Sequence, residues 1–174
     1  MKNIKQALAE AAKPMPYIGS LSEHPFALLI MAYLESIGVG EESKREVSGE
    51  IVWSTTLEPG LSVAYRLYKD RNQEVFLHFE VAIGYLPEAS EDLIAATLLQ
   101  EQYNHHFPLF YAITEERLLV ILFRTYCDGI TAAHALLRIH TIITLGAHSR
   151  EVFVKPEFGL QPLPSSWFKK AQVA

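Results

Sequence analysis

The chain has 174 residues, enough for one domain, with 49% apolar and 20% charged residues and a formal net charge of −5. That balance suits a globular protein with its own core and excludes disorder, and the acidic surplus disfavours nucleic acid, whose binding draws on a basic face. The single cysteine, Cys127, excludes an internal disulfide or a cysteine zinc cluster and fits a reducing cytosol, and no apolar run reaches the ~18 residues of a membrane helix.

Residues 3–13 are expected to form a short helix that stops at Pro14 and Pro16, because proline lacks an amide donor and restricts the residue before it. Glu10 and Lys13 interrupt any apolar stretch there, so the start reads as cytoplasmic rather than as a signal peptide. "SEHPFALLIMAYLESIG" then predicts an amphipathic helix with Ser22 as N-cap, Pro25 in the first turn and Gly38 at the C-terminus. Phe26, Leu29, Ile30, Tyr33, Leu34 and Ile37 recur at the spacing of one helix face.

The period then changes to that of strands. "GEIVWSTTLEPG" puts Ile51, Trp53, Thr55 and Leu57 on one face, "LSVAYRLYKDRNQ" does the same with Val63, Tyr65 and Leu67, and "EVFLHFEVAIGYLP" with Val75, Leu77, Phe79, Val81 and Ile83. Short polar turns at Pro59-Gly60 and Asp70-Arg71-Asn72 make these an antiparallel meander. Helix signals return at Ser90, a cap followed by Glu91 and Asp92, and the helix 91–103 is apolar over most of its circumference. "PLFYAIT" and "RLLVILFRTY" read as two strands, the second apolar on both faces and therefore buried on both sides. A last helix is expected from a Thr131 cap to Gly146, and the tail "LQPLPSSWFKKAQVA" as an extended or mobile segment.

The chain thus reads as α+β, with one antiparallel five-stranded sheet, helices packed on one face, and the order α-β-β-β-α-β-β-α after an N-terminal extension. From Pro25 to Gly146, and best in "LIAATLLQEQYNHHFPLFYAITEERLLVILFRTYCDGITAAHALLRIHTII", the sequence resembles the type III secretion chaperone-like fold of class I effector chaperones and related small bacterial proteins. In that family a leucine-rich helix ends near an asparagine, here Asn104, and a short strand, an acidic turn, an apolar strand and a long helix follow. The chain is thus expected to divide into an N-terminal helix and strap over 1–21, a chaperone-like domain over 22–146 and a C-terminal extension over 147–174, both ends reaching beyond a minimal family member. The resemblance implies a cytoplasmic, bacterial homodimer whose partner is a protein client such as a secreted effector, with no catalytic residue, metal, cofactor, nucleic acid or membrane.

In that picture Leu93, Thr97, Leu119, Ile121 and Phe123 form the two-fold interface, on helix 91–103 and strand 117–126. Phe26, Ile30, Tyr33, Trp53, Tyr65 and Phe76 hold an extended client segment, and the acidic balance suits a basic or amphipathic one. Either a partner covers the surplus apolar surface, or residues 1–21 or 147–174 fold back over it.

The pair His105-His106 lies outside the family pattern. With His134 and Glu101 it sketches a metal site, set against the plainer reading of a polar helix exit before Pro108. Cys127 with His134 sketches a nucleophile and base, set against a buried thiol. Two further functions stay in view: a regulatory or assembly protein of the same fold binding a folded partner, and, far behind, a metal enzyme built on the histidines.

Overall fold

The computed structural model describes residues 18–40, 43–57, 60–87, 89, 91–104 and 110–163, with the side chains of 91 and 101–104 excepted. The helix expected at 3–13, the Ser90 cap and the histidine pair lie outside the described residues. Among those described, α1 spans Pro25–Ser36, β1 Lys44–Val47, β2 Glu50–Leu57, β3 Leu61–Lys69 and β4 Val75–Tyr85. Helix α2 spans Glu91–Asn104, β5 Phe110–Ile113, β6 Leu118–Tyr126 and α3 Ala132–Phe153.

The sheet is antiparallel throughout, in the order β1-β2-β3-β4-β6-β5. It therefore has six strands rather than the expected five. The extra one, β1, belongs to a tight hairpin: Val47 pairs with Glu50 across Ser48 and Gly49, both at positive φ (51° and 83°). Two positive φ values define the turn whose twist matches that of paired strands. Serine is a weak signal for it, where asparagine or aspartate would have announced the hairpin.

Helix boundaries differ from expectation at two places. The α1 N-cap is His24 rather than Ser22, with its Nδ1 accepting from the Phe26 amide at 3.2 Å and Pro25 at the first helical position. Ser22 sits instead in a 3-10 turn over Leu21–Glu23. Helix α3 begins at the expected Thr131 cap, whose hydroxyl accepts from the His134 amide at 3.3 Å, but it runs through Gly146 to Phe153. Gly146 is buried against the sheet, where an added Cβ would lie 2.8 Å from Val81 Cγ1. The glycine there permits close approach of helix and strand; it does not end the helix.

One face of the sheet carries the core. Phe26, Ile30 and Leu34 of α1, Ile94 and Leu98 of α2, and Ala135, Ile139 and Ile142 of α3 all join one buried cluster with the inward residues of β2, β3, β4 and β6. Helices on one side leave the opposite face of the sheet to other cover.

Candidate functional site

Alternation along paired strands sorts the aromatic residues between the two faces. On the helix side Trp53, Tyr65, Phe79 and Phe123 are successive cross-strand partners, each 0–1% exposed. The Tyr65 and Phe79 rings lie 4.7 Å apart, Tyr33 of α1 approaches Tyr65 at 6.5 Å, and Trp53 Nε1 donates to Met31 Sδ at 2.8 Å. The Tyr65 hydroxyl is buried without a hydrogen-bond partner, and desolvation, with Tyr33 adding to it, pushes its pKa up.

The residues expected to hold a client therefore divide. Phe26, Ile30, Trp53 and Tyr65 are core side chains beneath α1, and Tyr33 is half-buried at its edge. Helix α1 roofs that face of β2 and β3, so these side chains form core between helix and sheet. Phe76 alone lies on the opposite, outer face, and it too is buried, at 8% exposed, among Tyr68, Tyr126 and Arg124.

The interface candidates divide in the same way. Leu119, Ile121 and Phe123 are buried within the chain, and the Arg138 guanidinium of α3 sits 5.0 Å from the Phe123 ring. A two-fold contact through them would require this core to open. Leu93 is half exposed on the side of α2 turned away from Ile94 and Leu98, and Thr97 is half-buried at the flank between. Leu99, 68% exposed, joins that outward side and was not singled out from the sequence. A helix apolar all round carries no period to say which leucines face out.

The outer face begins with an aromatic row at one end. Tyr68, Phe76 and Tyr126 are cross-strand partners with ring centres 5.7 and 4.2 Å apart. The Tyr126 hydroxyl donates to Glu74 at 2.6 Å, and the Arg124 guanidinium lies 4.5 Å from the Phe76 ring. The next row across the sheet is basic, with Arg45, Val52, Arg66, His78 and Arg124 in register. Beyond it the side chains shrink to Ser54, Ala64 and Ser62, which floor a groove of about 670 Å³. Arg45 and Arg66 line this groove together with Glu50, Glu80, Glu115 and Glu116, a surplus of two carboxylates.

Next to the groove, beyond Leu118, the outer face is covered by the chain itself. Leu163 packs with Ala82, Leu118 and Val120, so β6 is covered on both faces as its sequence implied. The approach is made by Gln161, whose amide and carbonyl exchange 2.9 Å hydrogen bonds with Tyr85. It needs Gly84, where a Cβ would fall 2.5 Å from the Gln161 carbonyl oxygen, and the strand register shifts between Ala82 and Gly84 to admit it.

The chemical alternatives fare differently. Burial, with Asp128 adding to it, pushes the Cys127 thiol up to about 12, which keeps it protonated at neutral pH, and His134 is exposed at the start of α3. Among the described residues no group of three His, Cys, Asp or Glu side chains is placed to hold a metal ion; His105, His106 and the Glu101 side chain are not among them. No helix of the described residues is long and apolar enough to cross a membrane.

No family model matches the sequence, and no curated protein matches it. Among solved structures, the crystal structure of the ExsC-ExsE complex contains a chain that matches with a TM-score of 0.54 and 14% identity, over 72% of this chain and 91% of that one. At that identity the likeness is one of fold, the type III secretion chaperone-like fold that the sequence from Pro25 to Gly146 resembles.

Proposed function

We propose that this protein is a non-enzymatic, chaperone-like binding protein that holds an extended segment of a protein client on the outer face of its sheet. One observation carries the reading. Three helices roof a single face, while the other presents an aromatic row, an arginine row and an open groove with a floor of small side chains. An extended chain laid there would meet apolar anchors and charged rims at strand spacing, which is how bound peptides gain affinity and register. The surplus of groove carboxylates suits a basic or amphipathic segment. The similar fold seen in the ExsC-ExsE complex, itself an assembly of two proteins, supports a protein partner.

Of the residues first named, the edge residue Tyr33 keeps a direct claim on the client; Phe76, buried on the outer face, reaches it through its ring neighbours Tyr68 and Tyr126, and the other four lie on the helix side of the sheet. The homodimer is proposed on the outward side of α2, through Leu93 and Leu99, with Thr97 at its edge beside Leu93. Work in a bacterial cytoplasm belongs to the same proposal.

The test is co-purification of the full chain from its native host, alongside Ala64→Arg, which fills the groove floor. Recovery of an unfolded secreted polypeptide that Ala64→Arg loses is expected. Recovery of a folded partner indifferent to Ala64→Arg would overturn the reading in favour of a regulatory or assembly protein.

A further inference from the structure

We propose that the outer-face groove selects its client by charge order, taking an acidic, an apolar and a basic side chain at alternate positions of one extended segment. This selection rests on the client reading above and deepens it, since a surplus of carboxylates by itself would favour a uniformly basic segment.

Strand register puts the charges in order along the groove. Arg45 and Arg66 share one row across the sheet, and Ser54, Ala64 and Glu80 share the next. Ser62 follows two residues further along β3, paired with Ala82. Leu118, paired with Tyr85, bounds that end beside Glu115 and Glu116. Glu50 lies on the arginine side of the floor and offsets one of the two guanidiniums there. The groove is therefore cationic at its Arg66 end and anionic at its Ser62 end.

Both signs line one groove without meeting each other. Among the described residues Arg45, Arg66, Glu115 and Glu116 form no ion pair, and Glu80 is paired with His78 at 3.5 Å rather than with either arginine. A ligand that carries one charge of each sign, held apart, answers both ends at once.

The separation suits a chain laid along β3. Arg66 and Ser62 are four residues apart on that strand, ~13 Å at the strand rise. In an extended segment the side chains at i, i+2 and i+4 share a face and cover the same distance. Position i then lies over the guanidiniums, i+2 over Ser54 and Ala64, and i+4 toward Glu115 and Glu116. The small side chains of the floor leave depth at i+2 for an aromatic ring, and its burial supplies the affinity. The charges at i and i+4 set register and exclude wrong partners, which is what solvated pairs do best.

The test titrates the full chain with seven-residue peptides that carry a neutral dye and are serine except at three positions. The first has glutamate, phenylalanine and lysine at its second, fourth and sixth positions. It is expected to bind at least ~5-fold more tightly than a peptide of the same composition with lysine moved to the fifth, which turns that charge to the other face. A similar advantage is expected over a peptide with lysine at both charged positions. Both preferences should vanish at about 1 M salt, where the screening length falls to ~3 Å.

In a second arm, Arg45→Glu with Arg66→Glu should transfer the preference to the lysine-phenylalanine-lysine peptide, and Glu115→Lys with Glu116→Lys to its glutamate counterpart. Circular dichroism checks that each variant folds, and the series on the unaltered chain decides the matter without them. Equal affinity for the first two peptides overturns the inference. So does tightest binding by the uniformly basic peptide, a preference that salt leaves unchanged, or no measurable binding of any. Failure of the client reading is seen separately, as a folded partner in the co-purification that is indifferent to Ala64→Arg.

Discussion

Gly146 offers a sign test of how α3 meets the sheet. In an ordinary helix interior, Gly→Ala is stabilising by about 1 kcal/mol, because glycine has the most backbone freedom to lose. Here the added methyl would lie 2.8 Å from Val81 Cγ1 and 3.8 Å from Leu61 Cδ1. Val81 is fully buried in β4, and its β-branched side chain has little rotamer freedom with which to yield. Overpacking of this kind costs about 1–3 kcal/mol. The clash outweighs the helix propensity, and Gly146→Ala is expected to destabilise by about 1 kcal/mol. Val81→Ala removes the obstructing methyl at a cost of about 2 kcal/mol of its own. In that background Gly146→Ala should turn stabilising, giving a coupling of about 1–2 kcal/mol between the two sites. Urea denaturation of the four proteins measures this through the midpoints, provided the slopes agree. If Gly146→Ala alone stabilises, the close approach is refuted. If its cost persists beside Val81→Ala, the strain is local to the backbone, as at a helix cap.

His24 adds a pH dependence. Desolvation lowers its pKa below 6.5, Asp128 opposes the shift and Lys69 adds to it, so the folded state favours the neutral ring whose Nδ1 caps α1. The unfolded chain takes up the proton first as pH falls; the cap's stability is therefore present above pH 6.5 and lost as pH drops through the lowered value. His24→Asn keeps an acceptor without a proton to bind and should flatten that part of the profile of melting temperature against pH. Cys127 should stay unreactive toward a thiol reagent in native protein and react fully in denaturant, since burial holds it protonated. Rapid native labelling would contradict its place in the core. Leu93→Glu with Leu99→Glu should convert a dimer to monomer in sedimentation without loss of helix content; a dimer that survives both would exclude the outward side of α2 as its interface.

Much of the fold was legible locally. The 3-and-4 spacing from Phe26 to Leu34, the alternation in β2, β3 and β4, and the Thr131 cap all depend on neighbours within a few residues, and all appear as read. The double burial of β6 was legible for the same reason, since both of its faces are apolar. The hairpin at Ser48-Gly49 was not, because a serine at positive φ is tolerated by the turn without being signalled by it.

The site was less legible than the fold. Alternation assigns Trp53 and Tyr65 to one face and Tyr68 and Phe76 to the other, but it carries no mark for the face that the helices take. That depends on how α1 and α3 pack across residues far away in the chain, and it turned Trp53 and Tyr65 from expected surface residues into core. Gly146 illustrates the same division. A glycine after an apolar helical run has the same local environment whether it ends the helix or passes a valine of the sheet. Period, caps and apolar content lie within one segment, so the sequence by itself determined the kinds of element and their order. Which face stays open, which leucines of α2 point outward and how Gln161 and Leu163 return to the sheet were decided by tertiary packing. Each of those depends on the shape of a distant neighbour.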